Sequence, residues 1–426
     1  MMEILIKSVE IIDRPSELHH KRRNILIKNG VITEITSHSI SSPNVINARN
    51  LIMSIGWCDM RSHFCDPGHE AKEDLESGRL AAAHGGFTDV VVQPNTTPVV
   101  ASKNEVSYLR SGNQNSLTQL HVIGAVTRDT KGTELTEMID LHHAGVVAFS
   151  DGIEPLWHTD VFGKALQYLQ KFNGLLINRA EDKMLSAFGH MNEGLQSTML
   201  GISGIPKLSE ELMVARDLAL LEYYGGRLHV ANVSSEVSLA MIKVAKKKGL
   251  KVTCDVAAHQ LLLDDSHLAN FDTNYKVNPP LRGPKTIKAL VKGIKDGTID
   301  VLVSDHRPED EEGKKVEFDR AAFGMLGIQE LGAMIQEISK QVDMDLLIEK
   351  ITYQPRRLLG LEIPAIRKGQ KAVLTLFDRS KKWFFDENSN QSKSRNSPNF
   401  GKELTGKAVA VFNNGKVLLD SDLMLN

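Results

Sequence analysis

Cysteine is scarce in this chain: three residues in 426, Cys58, Cys65 and Cys254. The number is odd and no pair has CxxC spacing, which argues against a disulfide framework and for a reducing compartment. An excess of either charge is also missing. The formal net charge of −2 gives no electrostatic basis for binding nucleic acid or an anionic membrane. No apolar run approaches the roughly 18 residues of a membrane span. The opening residues MMEILIKSVEIIDRPSELHH lack the apolar h-region of a secretory signal. The expected address is the cytoplasm.

What remains is an ordinary globular composition, 41% hydrophobic and 24% charged, which supports a large core. The length suits a large barrel with an accessory module. Residues 1–50 alternate apolar and polar positions, with NILIKNGVITEI turning at Asn29-Gly30, a hairpin signal. Residues 366–378 and 404–419 read the same way, so the chain's two ends form one small β module over 1–50 and 366–426. Between them an apolar strand, a polar loop and a helical stretch recur. Strands are expected at 51–58, 87–93, 119–126, 145–150, 174–178, 227–232, 251–256 and 299–304. Helical patterns such as 73–86 and 235–249 separate them, the latter ending in glycine. Eight such units over residues 51–365 describe a (β/α)8 TIM barrel, with a doubly wound open sheet as the alternative.

The chain is organised around LIMSIGWCDMRSHFCDPGHE, residues 51–70, an apolar run ending in a polar cluster beside a DPG turn. In parallel α/β folds chemistry gathers at the strand exits. Reading those exits in order gives Asp59, Arg61 and His63, then Asn95 in QPNT, Asp151 in FSDG and Arg179 in RAED. Next come Asn232 in LHVANVSS, His259, and Asp305 with His306 in VSDHRPE; Asn278 lies in VNPPLRG.

These segments, with HQLLLDD and FGMLGIQE, resemble in order those of the dihydroorotases of the amidohydrolase superfamily. The likeness covers nearly the whole chain. It is to the long form, in which an aspartate replaces the carboxylated lysine between two metals. The resemblance implies a β-sandwich beside the barrel and hydrolysis of a cyclic amide in pyrimidine biosynthesis. It also implies zinc, pairing as a homodimer, and assembly with aspartate transcarbamoylase.

The departures fall at the chemistry. By resemblance, His63, Asp151 and Asp305 keep metal positions, whereas Arg61, Arg179 and Asn232 stand where histidines belong. Cys65 replaces the substrate-binding arginine; Asn95 and Asn278 match the family's other substrate contacts. Imidazole and carboxylate ligate zinc through lone pairs. A guanidinium has none and stays protonated, so Arg61 and Arg179 bring fixed positive charge to a cation's place. They are suited instead to neutralise Asp151 and Asp305 by hydrogen bonds. The expectation is a centre without metal in which Arg61 or Arg179 bonds Asp151 or Asp305.

Several residues carry two readings. Asp305 is either the acid/base of hydrolysis or a buried aspartate paired with arginine. His63, Asp151 and Asp305 form either a weak or vestigial metal set or none. Asn95 and Asn278 either hold substrate or cap loops. Cys65 lacks an evident His-Asp pair and reads as a small buried hydrophobe. His259 reads as a structural hydrogen-bonder, and His19–His20 and His142–His143 as surface residues. Residues 307–323 are either a lid or a solvated loop. Trp383, Phe384 and Phe385 either mark a partner contact or pack the module onto the barrel. Two functions follow: a non-catalytic dihydroorotase-like partner, or a working dihydroorotase with a single-metal or reorganised site.

Overall fold

The computed structural model of the protein describes residues 3–423. The alternating N-terminal segment forms β1 (Glu3–Ile11), β2 (Arg22–Lys28), β3 (Val31–Thr36), β4 (Val45–Asn47) and β5 (Ile52–Ile55). Strands β2 and β3 form the expected hairpin. Asn29 and Gly30 at its turn both have positive φ, 49° and 75°, as a two-residue turn matched to strand twist requires.

The barrel strands follow as β6 (Trp57–Ser62), β7 (Phe87–Val92), β8 (Gln119–Gly124), β9 (Ala148–Phe149) and β10 (Leu176–Arg179). A two-stranded ribbon intervenes, β11 (Met191–Asn192) with β12 (Gly204–Ile205). Then come β13 (Leu228–Ala231), β14 (Val252–Ala257) and β15 (Val301–Val303). Strands β6–β10 and β13–β15 form one parallel sheet in sequence order, and a parallel bridge from Ser62 to His306 brings its two edges together. This is the barrel read from the sequence. Strands contribute Met60, Val91, Ile123, Ala148, Ile177, Ala231, Ala257 and Val303 to a packed interior. A larger apolar shell joins the sheet to its surrounding helices.

The strand expected at 51–58 is two strands. Ile52–Ile55 pairs with the terminal module, and the barrel begins at Trp57. Gly56 makes the handover, since a Cβ there would lie 2.2 Å from Thr88 Oγ1. The module's sheet therefore reaches Ile55, past the boundary at residue 50.

Strands β16 (Leu374–Phe385), β17 (Lys402–Asn413) and β18 (Lys416–Leu419) complete the module's sheet in the order β18-β17-β16-β5-β1-β2-β3, with β4 also beside β1. Strand β16 runs well past residue 378, where apolar alternation weakens. Trp383 and Phe385 are buried against Leu326, Phe400 and Leu404, and only Phe384 faces outward. Packing is thus the role of two of the three aromatics. The charged loop 307–323 is stapled down by two buried lysines. Lys314 Nζ donates to the Thr273 and Ala322 carbonyls at 2.9 and 2.8 Å; Lys276 Nζ donates to Phe318 and Asp319 at 2.7 and 3.0 Å. Among the described residues no helix is long and apolar enough to cross a membrane.

Candidate functional site

The barrel's strand exits bring Arg61, His63, Asp151, Arg179, Asn232 and Asp305 to one end of the sheet, all of them buried or nearly so. Asn232 and Asp305 leave their strands with φ of 52° and 48°. Ordinary residues occupy this left-handed region at a cost, and it recurs where surrounding structure dictates a side chain's aim.

Arg61 fills the centre. Its Nε donates to Asp305 Oδ1 at 3.0 Å and its Nη2 to the Gly152 carbonyl at 3.2 Å. The expected arginine–aspartate pair is therefore present as Arg61–Asp305. Arg179 behaves otherwise. It forms an ion pair with Glu181 and donates from Nε to the Ile153 carbonyl at 3.0 Å. Burial raises the Glu181 pKa, but Arg179 and the hydrogen bonds to its carboxylate outweigh this and leave the net value lowered. Asn278 Nδ2 points at the same carboxylate, 3.3 Å from Oε2. Asn95 clamps the loop after β9, donating to the Asp151 carbonyl at 2.9 Å and accepting from Ile153 N–H at 3.0 Å. Gly152 is required between them, because a Cβ would lie 1.8 Å from Asn95 Oδ1. In this structure both asparagines hold protein groups.

Asp151 does not meet an arginine. Its Oδ1 accepts the Val126 and Thr127 N–H groups at 3.0 and 2.9 Å, and its Oδ2 accepts the Thr127 hydroxyl. Burial pushes its pKa up to about 6, moderated by those three bonds. His63 is buried and its Nε2 has no protein partner. Burial first, then the guanidiniums of Arg307 and Arg61, hold it neutral, well below the usual histidine range. Both amide atoms of Asn232 also lack protein partners. Burial pushes the Cys65 thiol up to about 12, so it is not poised as a thiolate nucleophile.

The expected metal set of His63, Asp151 and Asp305 is not assembled. Among the described residues, three donor atoms within 4.8 Å of one another occur only at His19, His20 and Asp345, outside the barrel mouth. There His20 bridges Glu10 and Asp345, and His19 Nδ1 accepts Asp13 N–H. At the barrel centre one carboxylate is spent on backbone and hydroxyl, another on a guanidinium, and three positions carry no imidazole. This donor set does not fit a zinc pair.

Sequence reading missed the acids that set these contacts. Glu181 lies within the RAED segment, two residues after Arg179, and its role emerges only when Arg179 needs a partner. Asp255 on β14 accepts from His229 and from Asn232 N–H, at 2.9 and 2.6 Å, anchoring the strand exit that carries Asn232. Asp59, named among the strand exits, serves barrel closure instead: it accepts Ser304 N–H and hydroxyl at 2.9 and 2.6 Å, tying β6 to the exit of β15.

A family model described as Dihydro-orotase-like matches residues 50–238. A dihydroorotase of Acetivibrio thermocellus is 38% identical over 427 aligned residues, covering 99% of this chain and 100% of that protein. One of Syntrophus aciditrophicus is 36% identical with the same coverage. Among solved structures, an L-hydantoinase (dihydropyrimidinase) from Arthrobacter aurescens superposes with a TM-score of 0.83 at 21% identity, covering 99% of this chain and 96% of that one. That likeness concerns the fold.

Proposed function

The chain belongs to the dihydroorotase-like family, and on that premise we propose that it is a dihydroorotase homologue of pyrimidine biosynthesis whose barrel no longer hydrolyses the cyclic amide and serves as a structural partner. The observation that carries this reading is the Arg61–Asp305 pair at the barrel centre, 3.0 Å long, beside an Asp151 turned onto Val126 and Thr127. Hydrolysis in such a site needs a polarised amide and an activated water. A fixed guanidinium bound to the acid/base aspartate opposes the second, because it occupies the Oδ1 lone pair that would take the water's proton. Under this reading Asp305 is vestigial and zinc is not a cofactor. The expected partner is aspartate transcarbamoylase in the cytoplasm.

A second reading keeps the activity. Full-length identity of 36–38% to proteins named dihydroorotase favours it, as does His63 Nε2, which has no protein partner. Asp305 would then act as acid/base with a single metal at most, Asn95 and Asn278 would release their protein partners to orient dihydroorotate, and a nearby arginine would stand in for the one replaced by Cys65.

The deciding assay follows the interconversion of dihydroorotate and carbamoyl aspartate in both directions, with and without zinc. The proposal expects no turnover above that of Asp305→Asn. Turnover of at least about 1 s⁻¹ that Asp305→Asn abolishes ends it in favour of the second reading. A pull-down from the native cell tests the partnership, and absence of a transcarbamoylase from the recovered proteins counts against it.

A further inference from the structure

The loop between β1 and β2 carries two histidines, His19 and His20, that converge on one carboxylate of the barrel. His20 has φ of 58°, and this left-handed backbone sets the consecutive rings side by side, their centroids 4.0 Å apart. His20 Nε2 lies 2.7 Å and His19 Nε2 3.4 Å from the same atom, Oδ2 of Asp345, on helix Met344–Lys350. His20 is held from behind: its Nδ1 meets Glu10 Oε1 at 3.2 Å, and Arg22 Nη2 fixes the Glu10 carboxylate at 2.9 Å. The Asp345 side chain is 12% exposed and that of His20 54%, so the carboxylate is anchored while the rings stand open to water.

We propose that His19, His20 and Asp345 form a structural zinc site that ties the β1–β2 loop of the terminal module to the barrel. Two imidazoles and a carboxylate are donors that zinc takes, and three protein ligands leave the fourth position to water. Donors held about 2.0–2.1 Å from a tetrahedral zinc lie about 3.3 Å from one another. The His19–Asp345 separation of 3.4 Å already has that value and is too long for a good hydrogen bond. His20 has to open by about 0.6 Å to reach it, a small movement for an exposed ring. Glu10 supplies what stands behind most metal-binding histidines. A carboxylate only accepts, so Nδ1 carries the proton, and the neutral ring keeps its lone pair on Nε2. That lone pair then faces a carboxylate oxygen, and only a cation between them relieves the repulsion. A proton serves one ring; a dication serves both rings and the carboxylate together. His19 gives up the hydrogen bond it accepts from Asp13 N–H, 3.2 Å long, so binding is weaker than in a closed four-ligand site, with an expected Kd of about 1–10 µM. The site lies outside the barrel mouth and rests on nothing at Asp305.

Equilibrium dialysis of the full chain against zinc, read by elemental analysis, tests the site. At about 100 µM free zinc the wild type should hold about one ion per chain, and Asp305→Asn the same. His20→Gln and Asp345→Asn should each weaken binding by about tenfold or more. The same zinc should raise the wild-type Tm by about 2–3 °C over a melt in chelator, the shift expected for a ligand at 10–100 times its Kd on a chain of 426 residues. His20→Gln, compared with its own melt in chelator, should show no such rise, which separates lost metal from lost stability. Less than about half an ion on the wild type at that concentration overturns the proposal and leaves His20 a protonated bridge between Glu10 and Asp345. Zinc that both variants retain at unchanged affinity overturns it too, as does a wild-type Tm that zinc does not raise. Zinc lost from Asp305→Asn but kept by His20→Gln would place the ion at the barrel centre instead.

Discussion

Replacing Arg61 by methionine would remove the guanidinium that contacts Asp305 at 3.0 Å while keeping most of the side chain's volume. The Arg61 side chain is 3% exposed and that of Asp305 12%, so water screens the pair poorly. Breaking such a pair by deleting one partner costs about 3–5 kcal/mol, mostly from the charge left behind. Loss of the Arg61 bond to the Gly152 carbonyl, 3.2 Å, adds about 1 kcal/mol. Arg61→Met should therefore destabilise the chain by about 4–6 kcal/mol. Arg61→Met with Asp305→Leu removes both charges and should recover at least about 2–3 kcal/mol of that loss, a lower bound on the coupling between the sites. Urea denaturation read through both midpoint and slope measures the cycle. A single variant costing under about 1 kcal/mol, or a double variant no better than the single, would refute the claim that the pair replaces a metal as the centre's counter-charge.

Other outcomes follow from the same structure. Glu330 is buried, with Oε1 unpartnered and Oε2 accepting from Asn399 at 2.7 Å; burial pushes its pKa from 4.5 up to about 7. The folded chain then holds this proton more tightly than the unfolded one, so the contribution is full below the ordinary value and lost as pH rises through about 7. Stability should fall by on the order of 3 kcal/mol between about pH 5 and pH 8, and Glu330→Gln should flatten that slope in urea titrations at several pH values. Lys314→Met strands the Thr273 and Ala322 carbonyls, so trypsin should cut within 307–323 about tenfold faster or more than in the wild type. Trp383→Ala should cost about 3–5 kcal/mol in thermal or urea unfolding, whereas Phe384→Ala, 56% exposed, should stay within about 0.5 kcal/mol.

The barrel was legible because its strands are short apolar runs punctuated by turn residues, a signal that survives without tertiary information. The split at Gly56 was not, since Ile52–Ile55 and Trp57–Ser62 are equally apolar and only their partners in different sheets separate them. Arg61 was readable as an intruder because guanidinium chemistry is decisive wherever it sits. Its choice of Asp305, and the choice of Glu181 by Arg179, depends on the directions in which side chains leave the strand ends. Asp151 shows the limit most clearly. Its type and place were evident, yet the Val126 and Thr127 N–H groups that capture it belong to a neighbouring strand's loop, and spacing along the chain carries no trace of that contact. Glu73 is similar. It is fully buried and accepts the Ser77 and Ser392 hydroxyls, joining the barrel to the C-terminal module.

The central claim concerns what the barrel centre holds. Zinc per chain, measured by elemental analysis after equilibration with the metal and dialysis, tests it most directly when the wild type is compared with Asp305→Asn and with a variant lacking His19 and His20. The account predicts that any zinc on the wild type is unchanged by Asp305→Asn. One or two zinc ions per chain that Asp305→Asn removes, and that loss of His19 and His20 does not, would contradict it.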